Sequence, residues 1–161
     1  MKNSNVMISI VMGSKSDLEL MKKAGDLLDK IDIGYEYFIS SIHRMPERTI
    51  EYIKRLGQSN VKVVITAAGM ANHLSGITAS MTLIPVIAVP VSSTLGGVDA
   101  LLSTIQMPPG TPVAAVSVDG AVNAALLAAR ILAVSDDAIK KRLIEYMELR
   151  KADYIKNSEI F

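Results

Sequence analysis

The sequence predicts an α/β fold: a three-layer α/β/α sandwich with a central parallel five-stranded sheet and an extra C-terminal helix. Three observations lead there. Short β-branched runs alternate with longer segments of helical period five times along the chain. The first run, Val6 to Met12, is apolar at every position but Ser9, as suits a strand buried on both faces. Half of the 161 residues are apolar, which suffices for one domain with one substantial core and is too little chain for two.

The elements follow in order. After Gly13 closes the first strand, Leu18, Met21, Leu28 and Ile31 recur near helical spacing from Ser16 onward. Tyr35–Ile39 reads as the second strand. Pro46 suits the first turn of a helix that carries Ile50, Ile53 and Leu56 on one side and stops near Gly57. Val61–Thr66 is a third strand, with a short helix over Asn72 to Met81. Pro85–Val89 is a fourth, followed by a Ser/Thr/Gly loop and a helix around Val98–Ile105. Pro112–Val118 is the fifth. An Ala-rich helix runs from Ala121 to Ala133, and a polar final helix, about residues 136–156, starts after Ser135 with Asp136 at its cap. The most economical assembly is flavodoxin-like, a single domain with its core over about residues 6–133. The polar last helix is expected to pack against a neighbouring subunit.

Composition narrows the function. The formal charge is +1 with no long basic run, so nothing favours nucleic acid as a partner. No cysteine is present, which removes disulfides, zinc ribbons and thiol nucleophiles and fits a reducing, cytoplasmic setting. The opening MKNSN and the short, mostly apolar run Val6 to Met12 after it read as neither signal peptide nor anchor. Leu83–Val91 is interrupted by two prolines, so no membrane span is expected. The nine methionines are most simply core filler.

In an open parallel sheet the ligand sits beyond the carboxyl ends of the strands, so the loops there matter most. The first reads Gly13-Ser14-Lys15-Ser16-Asp17. Its glycine, its two hydroxyls and the free N–H groups of the next helix suit a phosphate ester, while Asp17 makes better sense as an acceptor for sugar hydroxyls. A phosphorylated ribose satisfies both halves; a plain helix cap by Ser16 or Asp17 is the other reading of this loop. The second loop, Ser40 to Pro46, holds His43 and Arg44. Arg44 can pair bidentately with phosphate oxygens, and His43 supplies an imidazole, the side-chain type suited to general acid–base chemistry. An isolated His-Arg pair is more often plain surface, but its position after the second strand, beside the first loop, favours chemistry. The third loop, Ala67 to Gly76, has small residues that admit a planar ligand, and includes His73, which reads equally well as a satisfied, partly buried histidine. The fourth, Pro90 to Gly97, offers further hydroxyls and N–H groups, and the turn Gln106–Gly110 is rigid enough to wall a pocket.

Absent motifs exclude much else. Two histidines without metal-ligand spacing make a metal site unexpected. There is no GxxxxGK[ST], GxGxxG or GxSxG, so ATP, dinucleotide and serine-elbow chemistry drop out. Acid–base chemistry on a phosphorylated small molecule, without a cofactor, is what survives.

Five segments together resemble a known family. They are Met12 to Asp17, Ser41 to Pro46, Gly69 to Gly76 with His73, Gln106-Met107-Pro108, and Asn123 to Ala129. In order and spacing they are similar to the N5-carboxyaminoimidazole ribonucleotide mutases, also called PurE, over about Val6 to Ala133. The resemblance implies a homo-octamer with active sites shared between subunits, and a role in purine biosynthesis. It implies that Ser14 and Asp17 take the sugar side of the substrate, that Ser16, Ser41 and Arg44 hold the 5′-phosphate, and that Gly13, Ala68, Gly69, Met70 and Leu74 complete the binding surface. His43 would be the general acid/base, with His73 as its catalytic companion. Ala67–Asn72 would confine the carbon dioxide set free in mid-reaction. The chain departs from the family pattern at Ile42, Met45, Ala67, Met70, Asn72 and Ser75. His73 matches, and Arg44 stands where the related animal-type carboxylase has lysine, which places the resemblance with the bacterial mutases. The alternatives are that carboxylase, which uses free carbon dioxide, a paralogue acting on another phosphorylated carboxylate, and a non-catalytic nucleotide-binding protein.

Overall fold

The computed structural model describes residues 5–158. The opening segment expected to carry no leader therefore lies, through residue 4, outside the described residues. The strands are β1 (Ile8–Met12), β2 (Tyr35–Ile39), β3 (Val63–Ala68), β4 (Val86–Pro90) and β5 (Ala114–Ala115). The helices are α1 (Leu18–Lys30), α2 (Pro46–Leu56), α3 (His73–Met81), α4 (Val98–Ile105), α5 (Ala121–Leu132) and α6 (Asp137–Lys156). All five strands are parallel, in the order β2-β1-β3-β4-β5, so the predicted sandwich and its flavodoxin-like winding are found. The order reverses between β1 and β3, and a crevice opens there at the carboxyl ends.

Strand periodicity divides the core. Ile8, Ile10 and Met12 of β1 point to one face with Val63, Ile65, Ala67, Ile87 and Val89, where α1 and α5 cover them. Val11, Val64 and Val86 point to the other face and meet Ile42, Leu56 and Leu74 beneath α2 and α3. On the first face α5 presents Ala121, Ala124, Ala125, Ala128 and Ala129, all essentially inaccessible to solvent, so the helix backbone lies close to the sheet and to α1. That accounts for a core so poor in aromatics. On the second face α2 is pinned by Tyr52, which stacks on Phe38 with centroids 3.6 Å apart and donates to Glu36 at 2.6 Å.

Several boundaries differ from expectation. The third strand starts two residues later and runs two further, to Ala68. β5 is far shorter than Pro112–Val118. Pro112 has no N–H for the ladder, and the chain after Val116 enters a turn in which Asp119 takes φ 57°. The last helix is only partly detached from its own chain. Asp136 caps it by accepting from the Ile139 N–H at 3.0 Å, Ile139 and Leu143 join the core, and Arg142 donates to the Ile31 carbonyl at 2.8 Å. Its second half, with Leu149, Tyr154 and Ile155, is exposed. No helix among the described residues is long and apolar enough to cross a membrane.

Candidate active site

The ends of four strands enclose a cleft of about 590 Å³. A cavity of similar size, about 650 Å³, opens at the opposite, amino-terminal edge near Pro85 and Pro112, but no titratable side chain lines it. The candidate site is the first, which gathers Asp17, His43 and Arg44.

The β1 exit builds one wall. Gly13 sits so close to the end of β3 that a Cβ there would lie 3.2 Å from that of Ala68. Ser14 then caps a single 3-10 turn over Lys15–Asp17. The Ser16 hydroxyl lies 2.8 Å from Ser14 Oγ and 3.1 Å from Asp17 Oδ1, so the loop is ordered by its own side chains. The cap expected of Ser16 or Asp17 is made instead by Ser14, since Asp17 stands at the start of α1 without a side-chain cap bond, and the loop faces the cleft. Asp17 is only 6% exposed. Burial pushes its carboxyl above the ordinary 3.8, with hydrogen bonds from Ser16 and Ser14 pulling the other way.

The β2 exit builds the second wall. Ile42 is buried and drags the turn onto the core, which leaves its neighbours His43 and Arg44 facing out. The Arg44 N–H donates to Ser41 Oγ at 3.3 Å, and the Met45 N–H to the Ser41 carbonyl at 2.8 Å. Beneath them Thr49 on α2 hydrogen-bonds Ser40 Oγ at 2.8 Å and donates to the Met45 carbonyl at 2.9 Å, fixing the start of the helix to the end of the strand. Pro46 at the first helical position costs nothing, since that N–H would have no helical acceptor.

The third wall comes from β3. Gly69 passes so near the fourth loop that a Cβ would stand 3.2 Å from the Val91 carbonyl. Met70 follows at φ 55° and is 61% exposed; a non-glycine side chain in that region is uncommon, and here it stands at the lip of the cleft. Asn72 then caps α3, whose first residue is His73. His73 is exposed rather than a buried core histidine, and its Nδ1 lies 2.7 Å from His43 Nε2 with the rings nearly perpendicular. One of those nitrogens must carry the proton and the other must be bare, so the tautomers of the two rings are linked. The chain's only two histidines, thirty residues apart, form one unit.

Gly13, Ser14, Ser16, Asp17, Ser41, His43, Arg44, Ala68, Gly69, Met70 and Leu74 all line the cleft, and His73 joins it through His43. Ile42, Ala71, Val91, Ser92 and Ser93 line it too, beyond the residues singled out from sequence. The run of hydroxyls in the fourth loop was the signal for the last two. The Gln106–Gly110 turn does not line it; Met107 instead packs against Gly76, and Gly110 borders the opposite cavity.

A parallel sheet wound 2-1-3-4-5, with paired imidazoles beside hydroxyls and a guanidinium at its carboxyl edge, defines an α/β domain with a polar cleft at its topological switch point. The model of the AIR carboxylase family matches residues 7–153, and the chain belongs to that family. It is 49% identical to the N5-carboxyaminoimidazole ribonucleotide mutase of Pyrococcus horikoshii, over 92% of this chain and 84% of that one. To the protein of the same name from Methanocaldococcus jannaschii it is 48% identical, over 96% and 97% of the two chains. The crystal structure of Treponema denticola PurE superposes with a TM-score of 0.86 at 33% identity, covering 95% of this chain and 96% of that one.

Proposed function

We propose that the protein is an N5-carboxyaminoimidazole ribonucleotide mutase, which moves a carboxyl group from the exocyclic nitrogen to the ring carbon of a purine precursor. Likeness to the mutases over nearly the whole chain supports the activity. One geometric observation carries the mechanism: the His43–His73 pair stands at a cleft whose lining also bears Ser16, Ser41 and Arg44.

The ribotide lies with its 5′-phosphate on Ser16, Ser41 and Arg44 and its sugar against Ser14 and Asp17, which directs the heterocycle toward His43. The N–C bond to the carboxylate breaks, carbon dioxide leaves, and His43 gives its proton to the nitrogen. The ring carbon then attacks the carbon dioxide, and His43 takes the proton which that carbon sheds. The histidine ends as it began, and no other reactant is consumed. Gly13, Ala68, Gly69, Met70 and Leu74 close around the reacting end. Confinement matters because a freely diffusing carbon dioxide would forfeit the effective concentration that enclosure supplies.

The enzyme works in the cytoplasm as a homo-octamer. Exposed Val98, Leu102 and Ile105 on α4, together with the apolar residues of the outer half of α6, are the surfaces available for subunit contacts, and sedimentation velocity tests the assembly. His43→Asn tests the chemistry. Turnover of N5-carboxyaminoimidazole ribonucleotide should fall by about 10²–10⁴-fold, the usual share of a general acid/base, and a loss under tenfold contradicts the role. Rapid consumption of aminoimidazole ribonucleotide at low bicarbonate would instead make the protein a carboxylase.

A further inference from the structure

Asn72 is a polar side chain 1% exposed in the loop between β3 and α3, and it does not line the cleft. Its Oδ1 accepts from Ser75 Oγ at 2.9 Å and from the Ser75 N–H at 3.4 Å, which caps α3. Ser75 Oγ lies 2.8 Å from Thr66 Oγ1 on β3, and the Asn72 N–H donates to Ser103 Oγ on α4 at 2.9 Å. A single residue thus ties the third loop to a strand and two helices. Its Nδ2 is buried without a partner, so the hold runs through Oδ1 and the backbone N–H alone.

The next residue is His73. Its ring reaches His43 at 2.7 Å, and a displacement of about an ångström at the start of α3 carries that contact beyond hydrogen-bond range. We propose that Asn72 is a positioning residue for the acid–base pair, holding the start of α3 so that His73 Nδ1 meets His43 Nε2. The inference rests on the mutase reading and adds a residue to it. Because Asn72 works through the third loop, it leaves Ser16, Ser41 and Arg44 at the phosphate end undisturbed.

Steady-state kinetics of the full-length protein with N5-carboxyaminoimidazole ribonucleotide tests this. Asn72→Ala should lower kcat roughly tenfold to a hundredfold, as misplacement of about 1 Å does, with KM within about twofold. The pH profile of kcat should shift, because His43 has lost its partner. Asn72→Ser, which keeps an acceptor for the N–H three residues on, should restore most of the rate and the profile. Ser103→Ala removes the other anchor without touching the cap, so it carries the test even if Asn72→Ala fails to fold; it too should lower kcat at nearly constant KM. The double variant should fall no further than the worse single one, since both act through one loop. Rates within about twofold of wild type for Asn72→Ala, or for Ser103→Ala where Asn72→Ala fails to fold, overturn the proposal. So does a loss that tracks only the folded fraction in a thermal melt, with an unchanged pH profile. An inactive wild type would sink the mutase reading instead, whereas an active wild type with indifferent variants sinks only the role of Asn72.

Discussion

Replacing His73 with alanine deletes one hydrogen bond, of 2.7 Å, from the group that gains and loses charge in the proposed reaction. A bond between neutral partners contributes about 0.5–1.5 kcal/mol, and one to a charged partner about 1.5–3 kcal/mol. Only the difference acts on the rate: it favours the protonated His43 that the first step spends, and its loss cuts the fraction of enzyme in that form. That difference is about 1–2 kcal/mol; with about 1.36 kcal/mol per decade, kcat should fall roughly 5- to 30-fold. His73→Asn keeps a polar atom near the lost nitrogen and cannot ionise, so it should fall between alanine and wild type if the second ring orients the first. Single-turnover conversion at saturating enzyme separates the chemical step from binding. Both rings are exposed, so thermal stability should barely move and serves as the control. An alanine variant within twofold of wild type would refute the reasoning. One as damaged as His43→Asn would show instead that the two rings act as a single acid–base unit.

Arg44→Ala should raise KM by more than it lowers kcat, and an unchanged KM in steady-state assays contradicts a phosphate contact. Asp17 gives a pH test. Its carboxyl is raised by burial, so its contribution to stability is fullest below the ordinary 3.8 and is lost as pH rises through the raised value. Asp17→Asn should therefore melt higher than the ligand-free wild type at pH 7, with the gap closing toward pH 4, and should bind the ribotide less well; a gap independent of pH would count against this. Gly25→Ala places a Cβ 2.1 Å from the Tyr37 hydroxyl and 2.7 Å from that of Tyr35. Overpacking of about 1–3 kcal/mol should outweigh the better helix propensity of alanine, about 1 kcal/mol, and lower the melting temperature by a few degrees. Tyr37→Phe in the same chain should recover much of that loss, and failure to do so would place the strain elsewhere.

How much of this was legible in the sequence depended on whether the signal was local. The apolar run ending at Met12, Pro46 at a helix start and the alanines of α5 each state their structure through near neighbours, and those elements stand where expected. β5 did not, because its length depends on pairing with β4 and on the turn at Asp119, neither of which shows as a period. The polar surface of the last helix points to a neighbouring subunit; Ile139 and Leu143, only four residues apart, are what dock its first turns on its own core.

The site divides the same way. Residue types and their position after each strand mark the loop with Gly13, Ser14, Ser16 and Asp17, and the pair His43-Arg44, as cleft residues, since strand ends in a parallel sheet must converge on one edge. His73 was ambiguous in sequence because a lone histidine looks alike whether it is buried filler or a partner. Only tertiary structure brings its ring to His43 across thirty residues, and only packing shows that the buried Ile42 turns His43 outward. Periodicity and turn chemistry are carried by neighbours along the chain and so can be read from it. Distances between strand ends, and the proton shared by two rings, arise from the sheet's winding and exist only once the chain has closed around its core.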